Sequence, residues 1–165
     1  MAGKEVWIAN DHGGYQLKKE FVRYFEEHGI PYRDLGTGSE EIVRYPYYAA
    51  EVASAVSGGK IERGILICST GIGMSILANR YKGVRASHCT STYQARMTRA
   101  HNNSNILCLG GRITGSFEAL DMLEAWLNTA YEGGRHDISL GLIKEAEQSI
   151  EACGDWEPPD AAARK

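Results

Sequence analysis

The stretch GILICSTGIGMSILAN, residues 64–79, decides the fold of this chain. It begins with an apolar run that ends at Cys68, turns through a segment with two glycines, and continues with a spacing typical of a helix. This pattern predicts a buried strand, a tight loop and a helix start. The loop would direct backbone N–H groups at an anion, and the helix dipole would favour the thiolate of Cys68. The alternative is a tight turn with an inert, buried cysteine.

Strand and helix patterns alternate on both sides of this unit. Alternation of this kind indicates parallel pairing through right-handed crossovers. It predicts an α/β fold, a three-layer αβα sandwich with a Rossmann-like, doubly wound, five-stranded parallel sheet. One domain over 1–153 and a flexible tail over 154–165 are expected. The predicted strands are 6–9, 31–35, 65–68, 84–88 and 106–109; the predicted helices are 17–28, 48–56, 74–78, 93–100, 117–127 and 140–153; and 37–46 and 133–136 are predicted loops.

Composition restricts the class of protein. The chain has 165 residues, of which 43% are apolar and 24% charged, as in an ordinary single globular domain. A net charge of −3 gives no argument for nucleic-acid binding, and no apolar run predicts a membrane span. The first residues lack the apolar segment of a signal peptide, so we expect a cytoplasmic protein. The four cysteines form no C-x-x-C pair, and we expect reduced thiols rather than a disulfide or zinc framework.

Polar residues follow the predicted strands at the ends where a doubly wound sheet binds its ligand. In this architecture ligands lie outside the carboxyl ends of the strands, at the point where the strand order reverses. We therefore expect these residues to converge on one rim. They are Asp11 and His12 after the first strand, Cys68, Ser69 and Thr70 after the third, Thr90 and Ser91 after the fourth, and Gly110, Gly111 and Arg112 after the fifth.

Two well-known phosphate-binding patterns do not fit the glycine loop. A dinucleotide fingerprint would require a third glycine at position 76, which is Ile, and would belong after the first strand. A thiol phosphatase would have an arginine six residues after its cysteine, where this chain has Met74. With these two kinds of site excluded, the glycine loop is interpreted as a pocket for a smaller anion.

Three basic side chains suit such a pocket, although each has a structural alternative. Arg112 and Arg135 follow double glycines, and guanidinium groups match phosphate oxygens, but loop arginines are often merely solvated. His101, at the end of a helix, either neutralises the helix C-terminus or acts as a general acid or base.

A set of colinear motifs gives the chain a family resemblance. From about residue 5 to 150 it resembles type B ribose-5-phosphate isomerase, whose wider family includes galactose-6-phosphate isomerase. The resemblance implies the fold predicted above, a sugar-phosphate substrate, no metal or organic cofactor, and a homodimer or homotetramer with active sites shared between subunits. The motifs are Asn10-Asp11-His12-Gly13-Gly14, Tyr45-Pro46, Cys68-Ser69-Thr70-Gly71-Ile72-Gly73, His101-Asn102-Asn103 and Gly133-Gly134-Arg135-His136.

The same resemblance implies a role for each site residue. Cys68 would be the base that moves a proton between C2 and C1, with Thr70 assisting. His101, with Asp11 nearby, would open the furanose ring. The remaining groups would bind substrate. The N–H groups from Gly71 through Ile72 and Gly73 to Ser75 would bind the enediolate oxygens, and Ser69 and Asn102 would bind the sugar. The phosphate would be bound by His12, Arg112 and Arg135, with His136 a further candidate.

The chain departs from the family pattern at two positions. Ser139 stands where relatives usually have a second phosphate arginine, and Arg44 stands where the residue before Tyr45-Pro46 is usually acidic. These changes are either drift, with Ser139 capping the last helix, or a substrate pocket in which Arg44 replaces the lost charge. We expect an aldose–ketose isomerase, most simply of ribose 5-phosphate. The alternatives are another sugar (a hexose 6-phosphate, a tetrose 4-phosphate or a free sugar) or a non-catalytic sugar-phosphate-binding subunit.

Overall fold

The structure is a computed structural model that describes residues 5–158, and it contains a five-stranded parallel sheet with the strand order β2-β1-β3-β5-β4. The predicted fold class is confirmed. The strands are β1 (Val6–Asn10), β2 (Tyr32–Asp34), β3 (Arg63–Cys68), β4 (Ala86–His88) and β5 (Ile106–Gly110). The helices are α1 (Tyr15–Glu27), α2 (Tyr45–Ser57), α3 (Ile72–Ala78), α4 (Thr92–Asn102), α5 (Ser116–Asn128) and α6 (Arg135–Cys153), with a short 3-10 helix over His12–Gly14.

The three inner strands, β1, β3 and β5, are buried on both faces, which explains why they are largely apolar. In β3, Ile65 and Ile67 pack into one core, whereas Leu66 and Cys68 pack into the other. Successive side chains of a strand point to opposite faces, so both cores require apolar residues from the same strand.

Helices cover both faces of this sheet. One core holds side chains of α1, α4 and α5, including the fully buried Phe21 and Trp126. The other core holds side chains of α2 and α3, including Val52 and Met74. The carboxyl ends of the strands are left uncovered by these layers, and the site forms there.

Two predicted helix boundaries are wrong, and the others lie within a few residues. The helix α2 begins at Tyr45, because Pro46 fits the first turn of a helix, where its missing N–H costs nothing. The helix α6 begins at Arg135 rather than at Leu140, directly after Gly134, which has a φ of +61°. Arg135 and His136, predicted in a loop, therefore belong to a helix.

The chain divides into two compact units, residues 1–132 and 133–165. The first contains the sheet with α1 to α5, and the second contains α6. The expected single domain over 1–153 stays a prediction. The flexible tail over 154–165 also stays a prediction. Residues 154–158 form no helix or strand, and residues 159–165 lie outside the described residues. Within residues 5–158 there is no helix with the length and apolar character needed to cross a membrane.

Candidate active site

Backbone hydrogen bonds join the carboxyl ends of β1, β3 and β5. The N–H of Asp11 donates to the carbonyl of Ile67 at 3.1 Å, and the N–H of Gly111 donates to the carbonyl of Cys68 at 2.8 Å. The N–H of Arg112 continues the pattern with the carbonyl of Ser69 at 3.1 Å. The strand order reverses between β1 and β3, so this rim is a topological switch point. The predicted convergence is confirmed for the residues after these three strands, whereas that of Thr90 and Ser91 after β4 stays a prediction.

Glycines permit this close approach of three loops. A Cβ on Gly14 would lie 2.7 Å from the carbonyl carbon of Ile67, and a Cβ on Gly111 would lie 2.6 Å from the carbonyl oxygen of Gly13. Side chains at these positions would push the loop after β1 away from β3 and β5. The glycines therefore set the width of the rim.

Cys68 is buried at this rim and accepts a hydrogen bond there. The N–H of Gly71 donates to Cys68 Sγ at 3.1 Å. Gly71 has a φ of +78°, a left-handed conformation that glycine adopts without strain. An N–H donor aimed at a sulfur stabilises the thiolate relative to the thiol. Burial raises the pKa of Cys89 to about 12 and that of Cys108 well above its usual value.

The loop after Cys68 leaves two amides for an oxyanion. Among the described residues, the N–H groups of Gly73 and Met74 make no hydrogen bond. The N–H of Ile72 lies 3.4 Å from Thr70 Oγ1, and that of Ser75 donates to the carbonyl of Gly71 at 3.1 Å. The role of the Ser75 amide at an enediolate oxygen stays a prediction, since that amide also donates within α3.

Asp11 and His12 are fixed on the same rim. Asp11 is 5% exposed, and its Oδ1 accepts from the N–H of Gly13 at 2.8 Å. The N–H of Val43 donates to His12 Nδ1 at 3.4 Å. Because Nδ1 is the acceptor, the proton of the neutral ring is on Nε2. His12 can therefore donate to an anion without first becoming charged.

Two further side chains contact the glycine loop without having been predicted in the site. The ring of Tyr45 packs on Gly73, where an added Cβ would lie 2.8 Å from Tyr45 Cζ. The ring of His88 packs on Gly71 in the same way, at 2.6 Å from Cδ2, and His88 Nε2 has no partner in the described part of the chain. The motif Tyr45-Pro46 was a usable signal for the first contact, whereas nothing in the sequence marked His88.

Arg44 lies between two residues that border the site. It is exposed and precedes the first turn of α2, while Val43 on one side contacts His12 and Tyr45 on the other contacts Gly73. The loop of Arg44 thus forms part of the rim around Cys68.

His101 and Asn102 lie at the amino ends of the strands, whereas Cys68 lies at their carboxyl ends. They form the end of α4, which starts beyond the carboxyl end of β4 and returns to the amino end of β5. Arg85, directly before β4, donates from Nε to the carbonyl of Asn102 at 3.0 Å. His101 Nε2 is 3.9 Å from a carboxylate oxygen of Glu132. One copy of the first unit therefore does not bring His101 to Cys68.

The predicted phosphate residues divide between the two units. Arg112 is exposed in the turn after β5, on the Cys68 rim. Arg135, His136 and Ser139 lie in the first two turns of α6, in the second unit. Their contacts with a phosphate stay predictions.

Comparison with known proteins agrees with this geometry. Residues 6–143 match the family described as Ribose/Galactose Isomerase. The chain is 44% identical over 145 residues to ribose-5-phosphate isomerase B of Escherichia coli, which covers 88% of this chain and 97% of that protein. It is 39% identical over 132 residues to D-erythrulose-4-phosphate isomerase of Pectobacterium atrosepticum, with 78% of this chain and 86% of that protein covered.

Solved structures show the same fold. The ribose-5-phosphate isomerase B of Clostridium thermocellum superposes with a TM-score of 0.85 at 45% identity, over 88% of this chain and 99% of that one. The family match covers the whole sheet and the Cys68 rim. This chain therefore belongs to the Ribose/Galactose Isomerase family and is an aldose–ketose isomerase of sugar phosphates.

Proposed function

We propose that the chain interconverts ribose 5-phosphate and ribulose 5-phosphate through a cis-enediolate, with Cys68 as the base. The observation that carries this proposal is the placement of Cys68 Sγ, which accepts the Gly71 N–H at the rim where β1, β3 and β5 end. Its relatives in Escherichia coli and Clostridium thermocellum carry the name of this activity.

The proton transfer needs a base and donors for the oxygen charge. The Cys68 thiolate removes the proton on C2 of the open-chain aldose, and the electrons of that C–H bond move through the enediolate to O1. The proton of the C2 hydroxyl then passes to O1, which leaves the negative charge on O2, and the thiol returns its proton to C1 as the carbonyl forms at C2. The free amides of Gly73 and Met74 are placed to stabilise the enediolate oxygens, with Thr70 assisting proton movement. General-base catalysis contributes about 10²–10⁴-fold and one oxyanion donor about 10²–10³-fold.

We further propose that a second copy of the chain supplies His101 and Asn102. These residues lie at the amino edge of the sheet, and Cys68 lies at the carboxyl edge. His101 follows Thr92 by nine positions in α4, about 14 Å along the helix at 1.5 Å per residue. A homodimer with shared sites brings the ring-opening histidine to the base, and a homotetramer would contain two such pairs. His12 and Arg112 hold the phosphate on the Cys68 rim.

The main alternative is a different sugar phosphate within the same chemistry. One relative is named for D-erythrulose 4-phosphate, and Arg44 adds a positive charge to the rim where the family usually has a negative one. A shifted phosphate would change the sugar length that places C1 and C2 over Cys68. A non-catalytic binding subunit is disfavoured by the joint presence of Cys68, Thr70 and His101. The cytoplasmic location and the absence of a cofactor stay predictions.

A substrate panel tests this proposal. Aldose–ketose conversion is measured on sugars of four, five and six carbons, with and without a terminal phosphate, using enzyme dialysed against a chelator. We expect the highest kcat/KM on ribose 5-phosphate, with no loss after chelation. A four- or six-carbon phosphate as the best substrate would overturn the choice of sugar but keep the chemistry. An unphosphorylated sugar as the best substrate would overturn the phosphate roles of His12 and Arg112.

A further inference from the structure

The amino edge of the sheet contains a polar hollow in which three arginines meet. Its volume is about 360 Å³, at the lower end of the range of small-molecule sites. It lies at the opposite end of the strands from Cys68. Its lining includes Arg63 at the start of β3, Arg85 before β4, Arg99 in α4 and Asn105 before β5, together with Glu62.

The charges around this hollow are unbalanced. Three guanidinium groups face a single carboxylate, that of Glu62, among its lining residues. Arg99 is 6% exposed, and burial lowers its pKa to about 10, with repulsion from Arg63 and Arg85 adding to the effect. Arginine is an unfavourable residue to bury beside like charges, because its charge cannot be removed at neutral pH. A bound anion would offset this repulsion.

Each of the three arginines is held in place but keeps donors for a ligand. Arg63 Nη1 donates to the carbonyl of Leu127 at 2.6 Å, and Arg99 Nη1 donates to Asn103 Oδ1 at 3.0 Å and to the carbonyl of Ser104. Arg85 uses Nε and Nη1 on backbone carbonyls. Within residues 5–158, Arg99 Nε is buried without a hydrogen-bond partner. The guanidinium groups are thus ordered in advance, while Nη2 of each and Nε of Arg99 remain for an oxyanion.

We propose that this hollow is a second anion site, which binds a small multivalent oxyanion of the phosphate or pyrophosphate class through Arg63, Arg85 and Arg99. Planar guanidinium groups match phosphate oxygens in pairs, and three of them around one hollow favour a ligand with more than one negative charge. Within one copy of the chain this hollow lies at the opposite end of the strands from the Cys68 rim, and its proposal does not depend on the activity proposed above.

Hydrogen bonds from Arg85 connect this hollow to Asn102, a predicted substrate-binding residue. Arg85 Nε donates to the carbonyls of both Asn102 and Asn103, at 3.0 and 3.1 Å. An anion bound at Nη2 of Arg85 would draw this guanidinium towards the hollow, which would strain the two Nε bonds and shift the end of α4. Occupancy of the hollow would therefore alter the position of Asn102 and, through it, the handling of substrate.

Isothermal titration calorimetry with inorganic pyrophosphate tests the site, because it measures affinity and stoichiometry independently of isomerase activity. Four variants are compared with wild type: Arg63→Gln and Arg85→Gln in the hollow, Arg112→Gln on the Cys68 rim, and Arg33→Gln as a matched control on exposed β2. We expect a site of one pyrophosphate per chain that survives Arg112→Gln and Arg33→Gln. It should weaken about ten-fold or more in each hollow variant, through loss of a charge-assisted pair.

Thermal unfolding provides a second readout on the same proteins. Because a ligand that binds only the native state raises Tm, pyrophosphate should raise Tm in Arg112→Gln and should do so far less in Arg63→Gln. Arg63→Gln is used for this comparison because substitution of Arg85 would also remove the hydrogen bonds that hold the end of α4. Wild-type affinity in both Arg63→Gln and Arg85→Gln, or loss of all pyrophosphate binding in Arg112→Gln, would overturn the proposal.

Discussion

A thiol acts as a base at neutral pH only when its surroundings favour the thiolate. At the residue scale, Cys68 Sγ accepts a hydrogen bond from the Gly71 N–H, whereas burial raises the pKa of Cys89 to about 12 and that of Cys108 well above its usual value. The difference follows from position, since Cys68 is the last residue of its strand and is followed by a loop with unpaired amides. One hydrogen bond thus separates a candidate base from two structural cysteines.

Replacement of this thiol should abolish most of the activity without unfolding the protein. We expect Cys68→Ala to lose at least about 100-fold in kcat, the lower end of general-base catalysis. Steady-state kinetics and circular dichroism measure the two effects. The control is Cys153→Ala, which removes an exposed cysteine and should keep wild-type kcat. Comparable turnover by Cys68→Ala would remove Cys68 from the mechanism.

Alkylation gives a related result that requires one precaution. Hydrogen bonding with the Asp155 backbone and with Ser149 lowers the pKa of the Cys153 thiol, so its thiolate persists to lower pH than that of an ordinary cysteine. We expect iodoacetate to label Cys153 without loss of activity, and this labelling should decline only as pH falls below the lowered pKa. In a Cys153→Ala background, iodoacetate should inactivate through Cys68, and substrate should protect. Inactivation without Cys68 labelling would contradict this assignment.

His101 should act on the ring form of the substrate. We expect His101→Ala to lose far more kcat/KM on ribose 5-phosphate than on a tetrose 4-phosphate, whose phosphate occupies the hydroxyl that a furanose needs. His28→Ala, an exposed histidine near the end of α1, is the matched control. Equal losses on both sugars would place His101 in proton transfer or in structure instead.

At the element scale, glycine loops after β1, β3 and β5 determine how closely the three strand ends approach. Much of this could be predicted from the sequence: the order of elements, the parallel sheet and the rim around Cys68. The start of α6 could not, because residues 135–139 lack the apolar periodicity that marks a helix, and only the turn at Gly134 defines its beginning. Packing of His88 on Gly71 depends on tertiary placement and has no local signal.

A methyl group at Gly14 should push the loop after β1 away from β3. An added Cβ meets the backbone carbonyl of Ile67, which cannot rotate away as a side chain can. We expect Gly14→Ala to lose about 1–3 kcal/mol of unfolding free energy, the usual cost of overpacking. Urea denaturation measures it. Gly38→Ala is the control, since a Cβ there meets nothing within 4 Å, and an equal loss in both variants would exclude the contact as the cause.

Arg44, in the loop before α2, should provide a positive charge that helps to bind the substrate phosphate. Arg44 lies between the contacts to His12 and Gly73, and it can offset the missing arginine at position 139. We expect Arg44→Ala to raise KM for ribose 5-phosphate several-fold, with little change in kcat. Arg96→Ala, an exposed residue of α4, should leave both constants unchanged. An unchanged KM in Arg44→Ala would show that Arg44 does not compensate.

At the scale of the whole molecule, the proposed catalytic residues lie at two edges of one sheet. Cys68 and Asp11 end strands at the carboxyl edge, and His101 ends a helix at the amino edge. Since α4 crosses the full depth of the sheet, no local motion joins the two groups. Exposed apolar side chains on the Cys68 side, including Ile72 and Ile76, suit contact with another copy. The proposed function therefore predicts that a second copy of the chain completes the site.

Subunit complementation tests this central claim most directly. Cys68→Ala and His101→Ala chains are each assayed alone and then after joint denaturation and refolding. In a dimer with shared sites, a mixed pair contains one site with both residues intact and one with neither. Random pairing makes half of the dimers mixed, so we predict recovery of about a quarter of wild-type activity on ribose 5-phosphate. Activity that stays at the level of the two separate variants, with mixed dimers verified by mass, would contradict the account.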